Sequence, residues 1–269
     1  MTDLPANLTA VPSRLGATAL VDGRGLVIEI DNIQPELLHH DVLRLSVLTF
    51  IVDVAAGVTL DTDPDCWTFT TDLSLRMQAL RAPAKVTATT TILRQGRRSA
   101  HGLVEVVDEH LRRVASGAIG FARVPRKAGD PPKPLVSPDL MTGRFTGRER
   151  VSSPLRDEAG IVSIDAAHGV VEIAVRPEVC NPAGTLQGAM VALVAEAAAE
   201  DLVGSLSDGP VVITEVDIRY LAQATVGPVR TECRLLGNGP DAPVEVRLID
   251  SANGRLSTLV YARAAPAPS

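Results

Sequence analysis

The sequence predicts an α+β protein that contains one structural unit twice, each unit a long buried helix wrapped by an antiparallel β-sheet. An offset of 143 residues aligns the strand-like segments around Glu29 and Glu172 and the apolar runs around Asp53 and Glu196. The same offset aligns further pairs without a gap: Leu43 with Leu186, Thr71 with Thr214, Arg76 with Arg219 and Val86 with Val229. An internal repeat that keeps this register indicates two related units in tandem.

Each predicted unit has the same order of elements. It begins with a strand-like segment, GLVIEI at 25–30 or GVVEIAV at 169–175, in which β-branched residues favour extended structure. The runs at 43–60 and 188–204 are apolar on nearly every face, which is typical of a helix buried on all sides. Three β-rich segments follow in each unit, and the last is expected to hold two strands joined by a turn.

The boundary between the units is predicted from composition. Residues 124–150 are rich in Pro, Gly and charged residues and have no hydrophobic period, which is typical of a linker. We therefore predict an N-terminal domain over residues 1–126, a linker over 127–150 and a C-terminal domain over 151–269.

Composition excludes several classes of function. Hydrophobic residues make up 45% of the chain and charged residues 22%, which is the profile of a soluble globular protein. A net charge of −6 with 3% aromatic residues argues against nucleic acid or an anionic membrane as a partner. The N-terminal sequence does not resemble a signal peptide, and no apolar run approaches the ~20 residues of a membrane span, so a cytoplasmic location is expected.

The sequence offers no pattern for a metal site. The 3 cysteines are widely spaced, and we expect Cys180 to be a small buried hydrophobe rather than a nucleophile. The neighbouring His39 and His40 would point in different directions from either a helix or a strand. They are therefore expected to have surface or capping roles.

The start of the second apolar run carries a motif. It resembles the N-x-x-G-x-x-H-G-G pattern of hotdog-fold acyl-CoA thioesterases of the PaaI-like branch, in which an acidic residue follows nine positions after the His. The matching positions are Asn181, Gly184, Gln187, Gly188, Ala189 and Glu196. Gln187 replaces the usual His, and Ala189 replaces the second Gly.

This resemblance implies two tandem hotdog domains that imitate a dimer and an acyl-CoA thioesterase that needs no metal or redox cofactor, with coenzyme A as part of the substrate. It also implies a homo-oligomer of such chains. In the family, each site combines the turn of one unit with the helix carboxylate of the other. One site would therefore join Asn181, Gln187 and Gly188 to Asp53.

The other site would join Glu196 to residues that do not match the motif, which are Leu38, Arg44 and Leu45. We expect it to be catalytically weak or purely structural.

The residues of the first site suit thioester hydrolysis. The free backbone N–H of Gly188 at a helix start can polarise a carbonyl group. Asp53 lies in an otherwise apolar helix, where desolvation raises the pKa of a carboxylate and makes it a better base. A helix-start turn without a ligand and a buried carboxylate held by a hydroxyl or backbone partner remain the alternatives.

Four arginines are candidates for contacts with coenzyme A phosphates, although exposed arginines without a ligand are common. They are Arg76, Arg97, Arg98 and Arg219. Glu200 lies one helical turn beyond Glu196 and is expected on a solvated face. A binding protein for acyl-CoA or acyl-lipid whose catalysis has decayed remains the alternative function. A hotdog enoyl-CoA hydratase is disfavoured, because its D-x-N-P-x-H pattern is not found.

Overall fold

The computed structural model describes residues 10–22, 25–61, 63–128, 149–181 and 184–269. Most of the predicted linker, residues 129–148, therefore lies outside the described residues, as do Pro182 and Ala183 of the motif. The described chain forms one large antiparallel sheet, a two-stranded sheet and two long helices. No helix in the described ranges is both long and apolar enough to cross a membrane.

The predicted elements appear in the expected order in both halves, but each half has one further strand before its first predicted strand. The helices are α1 (Leu45–Leu60), α2 (Leu155–Glu158) and α3 (Gly188–Gly204). The strands of the first half are β1 (Ala17–Asp22), β2 (Gly25–Asp31), β3 (Leu38–His39), β4 (Val42–Leu43), β5 (Cys66–Met77), β6 (Lys85–Gln95), β7 (Ser99–Asp108) and β8 (Arg113–Pro125). Those of the second half are β9 (Val162–Asp165), β10 (Val170–Ile173), β11 (Val211–Tyr220), β12 (Val229–Leu235), β13 (Val244–Asp250) and β14 (Arg255–Pro266). The turns between β7 and β8 and between β13 and β14 confirm the predicted hairpins.

The large sheet has 12 strands in the order β1-β2-β6-β7-β8-β5-β11-β14-β13-β12-β10-β9. Neighbouring strands are antiparallel throughout, and the two halves meet where β5 pairs with β11. Read outward from this pair, the strand order is the same in both halves. The sheet is therefore continuous between the halves, and the division of the chain into domains stays a prediction.

The 143-residue offset applies to strand pairing as well as to sequence. Glu29 pairs with Thr87 across β2 and β6, and Glu172 pairs with Arg230 across β10 and β12. Both members of the second pair lie 143 positions after those of the first. Helices α1 and α3 also begin 143 residues apart. The repeat is thus a repeat of three-dimensional arrangement.

Both long helices are buried between the sheet and each other. Most residues of α1 and α3 are inaccessible to solvent, and both helices contact the strands of their own half. They also contact each other directly. Their apolar side chains belong to one continuous core, as expected for helices that are apolar all round.

A carboxylate of α3 caps the N-terminus of α1. Arg44 precedes the first turn of α1, and its side chain accepts no hydrogen bond from that turn. Glu196 instead accepts hydrogen bonds from the Leu45 backbone N–H at 2.8 Å and from the Ser46 hydroxyl at 2.6 Å. A negative charge is favourable there because the free N–H groups give the N-terminus of a helix a partial positive charge.

Arg44 is buried in the same contact. Its guanidinium group donates two hydrogen bonds of 3.0 Å to Glu200 and lies 3.6 Å from Glu196. Burial disfavours the cation, yet these two carboxylates raise the pKa of Arg44 above its ordinary value. Burial, together with the charge of Arg44, lowers the pKa of nearby His39 to about 3, so this imidazole is neutral. The contact therefore holds one buried cation between two acids.

The prediction that Glu200 lies on a solvated face is wrong. Only 6% of its surface is exposed, because α3 packs against the start of α1 and Glu200 faces Arg44 across that contact. The apolar pattern of α3 could not reveal this, since the partner of Glu200 lies 156 residues away.

We expect Arg44→Met to destabilise the protein by about 3–5 kcal/mol, because it leaves buried carboxylates without their cation. Urea unfolding measures the loss. Arg113→Met is the matched control, since Arg113 forms an exposed ion pair with Glu105. A loss for Arg44→Met no larger than that of the control would contradict a stabilising role for the buried pair.

Candidate functional site

A cavity of about 380 Å³ lies where the first turn of α3 faces α1 and the ends of β5 and β11. It is lined by Asp53, Thr68, Phe69, Thr70, Thr71, Asn181, Thr185, Leu186, Gln187, Gly188, Val191, Tyr220, Leu221, Ala222, Gln223, Ala224, Ser257 and Thr258. Asp53 is the one charged side chain among these described residues. The cavity is therefore largely neutral, with a single carboxylate in its wall.

The turn before α3 is built by Asn181. Its side-chain amide donates to the Thr185 hydroxyl at 2.8 Å, and its Oδ1 accepts from the Thr185 N–H at 3.2 Å. Gly184 has φ +75°, a left-handed conformation that glycine adopts without strain. The backbone carbonyl of Asn181 accepts the N–H of Gly184 at 2.9 Å. Asn181 thus holds the turn that presents the next residues to the cavity.

Gln187 caps α3, and two hydrogen-bond donors beside this cap remain free. Its Oε1 accepts the backbone N–H groups of Ala189 at 2.6 Å and Met190 at 3.3 Å. Because the oxygen points at the helix, the Nε2 group is left to donate elsewhere. Among the described residues, neither this Nε2 group nor the backbone N–H of Gly188 has a hydrogen-bond partner. Gln187 and Gly188, the residues that carry these donors, both line the cavity.

Asp53 lies in the cavity wall on α1. The Thr70 hydroxyl donates to its Oδ1 at 2.7 Å. Burial raises the pKa of Asp53 above its ordinary value, and the hydrogen bond from Thr70 opposes only part of this increase. The side chain nevertheless keeps some exposed surface, which opens into the cavity. Asp53 is therefore a carboxylate with increased basicity that a ligand can reach.

The structure brings the first predicted set of residues together around this cavity, and it brings Glu196 of the second set to Arg44 and Leu45 at the start of α1. Asp53, Asn181, Gln187 and Gly188 all line this cavity. Glu196 lies outside it, with its carboxylate bonded to the start of α1. The catalytic roles assigned to these residues stay predictions.

Thr70 and Tyr220 are among the polar side chains of the cavity that sequence reasoning missed. The Tyr220 hydroxyl donates to the Gly188 carbonyl at 3.2 Å. Burial and the charge of Asp53 raise the pKa of Tyr220 well above its ordinary value. The available signal was a tyrosine at a strand end in a chain with only 2 tyrosines.

The predicted phosphate-binding arginines have different surroundings. Arg76 donates to both carboxylate oxygens of Asp217, at 3.1 and 2.7 Å, and lies 3.7 Å from Glu215. Arg219 is exposed beside Tyr220 and belongs to none of the ion pairs in the described ranges. Arg97 and Arg98 are exposed in the hairpin between β6 and β7. Only Arg76 is already occupied by carboxylates.

Metal-ligating side chains do not cluster in the described part of the chain, where no group of three or more could hold an ion. The rings of His39 and His40 lie beside each other, and His39 contacts Arg44 and Glu200. Cys180 is buried, and burial raises the pKa of its thiol, as suits a small apolar side chain.

The geometry suits attack by water on a polarised carbonyl group. Two neutral N–H donors lie at the start of α3, and a carboxylate with raised pKa faces the same cavity from α1. Donors stabilise the negative charge that develops on a carbonyl oxygen, while the carboxylate accepts a proton from water.

Sequence comparison finds no relative: no family model matches the chain, and no curated protein matches it.

Solved structures do match. A thioesterase II described as putative from Thermobifida fusca is similar, with a TM-score of 0.62 at 16% identity over 97% of this chain and 100% of that one. The tesB protein of Mycobacterium avium subsp. paratuberculosis has a TM-score of 0.64 at 11% identity over 96% and 98%. An acyl-ACP thioesterase from Bacteroides thetaiotaomicron has a TM-score of 0.59 at 12% identity over 89% and 97%. A protein from Alicyclobacillus acidocaldarius that is described by its hotdog fold also matches, with a TM-score of 0.57 at 12% identity over 96% and 98%. The chain therefore has the hotdog fold over nearly its full length.

Proposed function

We propose that this protein is an acyl-CoA thioesterase. The observation that carries the proposal is the cavity that Asp53 lines together with Gln187 and Gly188, each of which has a free donor. The solved structures support it by analogy only, because several are named as thioesterases.

In the proposed reaction, the thioester carbonyl oxygen accepts hydrogen bonds from the Gly188 N–H and the Gln187 Nε2 group. Asp53 removes a proton from water while the water oxygen bonds to the carbonyl carbon. The resulting oxyanion is stabilised by the two donors and by the partial positive charge at the start of α3. The C–S bond then breaks, and the leaving thiolate takes up the proton that Asp53 removed from water, which restores the carboxylate. The products are the free acid and coenzyme A.

A neutral amide at position 187 fits this scheme. Its oxygen is fixed by two backbone N–H groups of α3, so its nitrogen is held as a donor without any change of protonation. An imidazole would donate from one nitrogen only, and its tautomer would have to be set by a further partner. Gln187 therefore supplies the donor that the family usually takes from His.

We further propose that the chain is a pair of hotdog domains that imitates a dimer, with one working site per chain. The equivalent position at the start of α1 is filled by Glu196, and Arg44 takes the place of Gln187. A carboxylate already bonded to the helix N-terminus excludes a substrate carbonyl oxygen from those donors. Assembly of such chains into a homo-oligomer and a cytoplasmic location stay predictions.

The phosphates of coenzyme A would lie outside the cavity, because its single charge is the negative Asp53. Arg219 is the predicted cation that we favour for them, since it is exposed and lies on β11, the strand whose last residue, Tyr220, lines the cavity. Arg76 occupies the equivalent position but is neutralised by Asp217. Ser74 stands at the position equivalent to Asp217, so Arg219 lacks that partner.

The first test measures thiol release from acetyl-, hexanoyl-, lauroyl- and phenylacetyl-CoA. We expect turnover of at least one substrate and a fall in kcat of about 100-fold or more for Asp53→Asn, since it removes a general base. Glu196→Gln is the matched control and should retain kcat. Binding of an acyl-CoA without turnover would favour the decayed binding protein. Loss of activity only in Glu196→Gln would reverse the assignment of the two positions.

The raised pKa of Asp53 predicts a second effect. Asp53→Asn should be more stable than the wild type at neutral pH, because desolvation of the ionised Asp53 carboxylate lowers the stability of the folded wild type. This advantage is complete above the folded-state pKa and disappears as the pH falls toward the ordinary carboxyl pKa of 3.8. Thermal unfolding of both proteins across pH measures it. An Asn variant less stable than wild type at neutral pH would contradict it.

The third test concerns the phosphates. Arg219→Ala should raise the KM for an acyl-CoA by roughly 3–10-fold, because it removes a charge-assisted contact. Arg76→Ala should change KM little. Neither substitution should change the KM for the same acyl group when it is carried on N-acetylcysteamine, which has no phosphate. Equal effects of Arg219→Ala on both substrates would show that the arginine does not recognise phosphate.

A further inference from the structure

Tyr220, the last residue of β11, lies over the first turn of α3. Its hydroxyl donates to the Gly188 carbonyl at 3.2 Å, and the fit leaves little space. A Cβ atom on residue 188 would lie 3.3 Å from the Tyr220 hydroxyl and 3.6 Å from the ring carbon that carries it. Glycine at 188 therefore gives the phenol room to approach the helix.

The hydrogen bond to Gly188 is not needed to satisfy the helix. Gly188 is the first residue of α3, and carbonyl groups at the start of a helix are already bonded to N–H groups one turn later. The separation of 3.2 Å is also longer than the 2.7–2.8 Å usual for a hydroxyl donor. The bond orients the phenol rather than stabilising the fold.

The orientation of this proton determines what Tyr220 offers to the cavity. Since the hydroxyl proton points at Gly188, the lone pairs of the oxygen remain as an acceptor. Burial, together with the charge of Asp53, raises the pKa of Tyr220, so the phenol stays protonated at neutral pH. Two acceptors, a carboxylate and a neutral phenol oxygen, thus share one cavity.

We propose that Tyr220 and Asp53 together hold the two hydrogens of the attacking water, so that Tyr220 is a water-positioning residue. This inference rests on the proposed thioesterase function. One O–H of the water donates to Asp53 and the other to the Tyr220 oxygen, which leaves a lone pair directed away from both. The carbonyl carbon of a thioester held by Gly188 and Gln187 would receive that lone pair.

The proton balance assigns different roles to the two acceptors. As the new C–O bond forms, the water proton that is hydrogen-bonded to Asp53 is transferred to that carboxylate. Tyr220 keeps its own proton, which stays hydrogen-bonded to the Gly188 carbonyl, and it only orients the second O–H of the water. The equivalent position in the first half is Met77, which has no hydroxyl. Tyr220 therefore adds a second difference between the two halves.

The decisive experiment compares Tyr220→Phe, Asp53→Asn and the double variant on the acyl-CoA that the wild type hydrolyses fastest. Tyr220→Phe should lower kcat by about 10–100-fold and change KM less than about twofold, since orientation of the nucleophile acts on the chemical step. The double variant should be no slower than Asp53→Asn alone, because both residues act on one water molecule. Tyr261→Phe is the control, as Tyr261 is exposed on β14.

Each outcome separates the inference from the function on which it rests. Full kcat in Tyr220→Phe, with Asp53→Asn inactive, would overturn the role of Tyr220 and leave the thioesterase proposal intact. A raised KM at unchanged kcat would also overturn it, since it would indicate substrate binding only. No turnover of any thioester by the wild type would overturn both. If Tyr220→Phe unfolds at a lower temperature than Tyr261→Phe, the hydrogen bond from Tyr220 to the Gly188 carbonyl stabilises the fold, which would contradict its assignment as a bond that only orients the phenol.

Discussion

The arrangement depends on one contact, in which the start of each long helix faces a carboxylate on the other. The free N–H groups of a helix start attract negative charge. Glu196 reaches the start of α1 and binds Leu45 and Ser46 directly. Asp53, one methylene shorter, binds Thr70 instead, and α3 is capped by its own Gln187. The cavity is lined by Asp53 and by the start of α3.

These differences between the two helix starts separate two physical states of one arrangement. At the start of α1 the acids are paired with Arg44, and the donors are used within the protein. At the start of α3 a desolvated carboxylate and two unused donors remain. Polar groups without partners of this kind lower the stability of the folded protein, and only a bound ligand that pairs with them offsets that loss. Thus the polar groups at the start of α1 are paired within the protein, whereas those at the start of α3 are left available to a ligand.

The fold is shared with proteins that are only 11–16% identical in sequence. Such preservation is possible because a buried helix and an antiparallel sheet need apolar side chains and β-branched residues in the right order, not particular identities. The side chains at the start of the helix are under no such shared constraint, so function must be argued from Gln187, Gly188 and Asp53 themselves.

The sequence by itself determined the order of helices and strands and the 143-residue repeat, because both follow from local hydrophobic patterns. The repeat, together with the resemblance of the motif, also led to the association of Asp53 with Gln187 and Gly188. Only the tertiary structure decided that Glu200 is buried and that Arg76, but not Arg219, is paired with acids. It alone placed Thr70 and Tyr220 in the cavity. Hydrophobic periodicity reports how a segment meets the core, whereas the partner of a polar side chain depends on where distant segments come together.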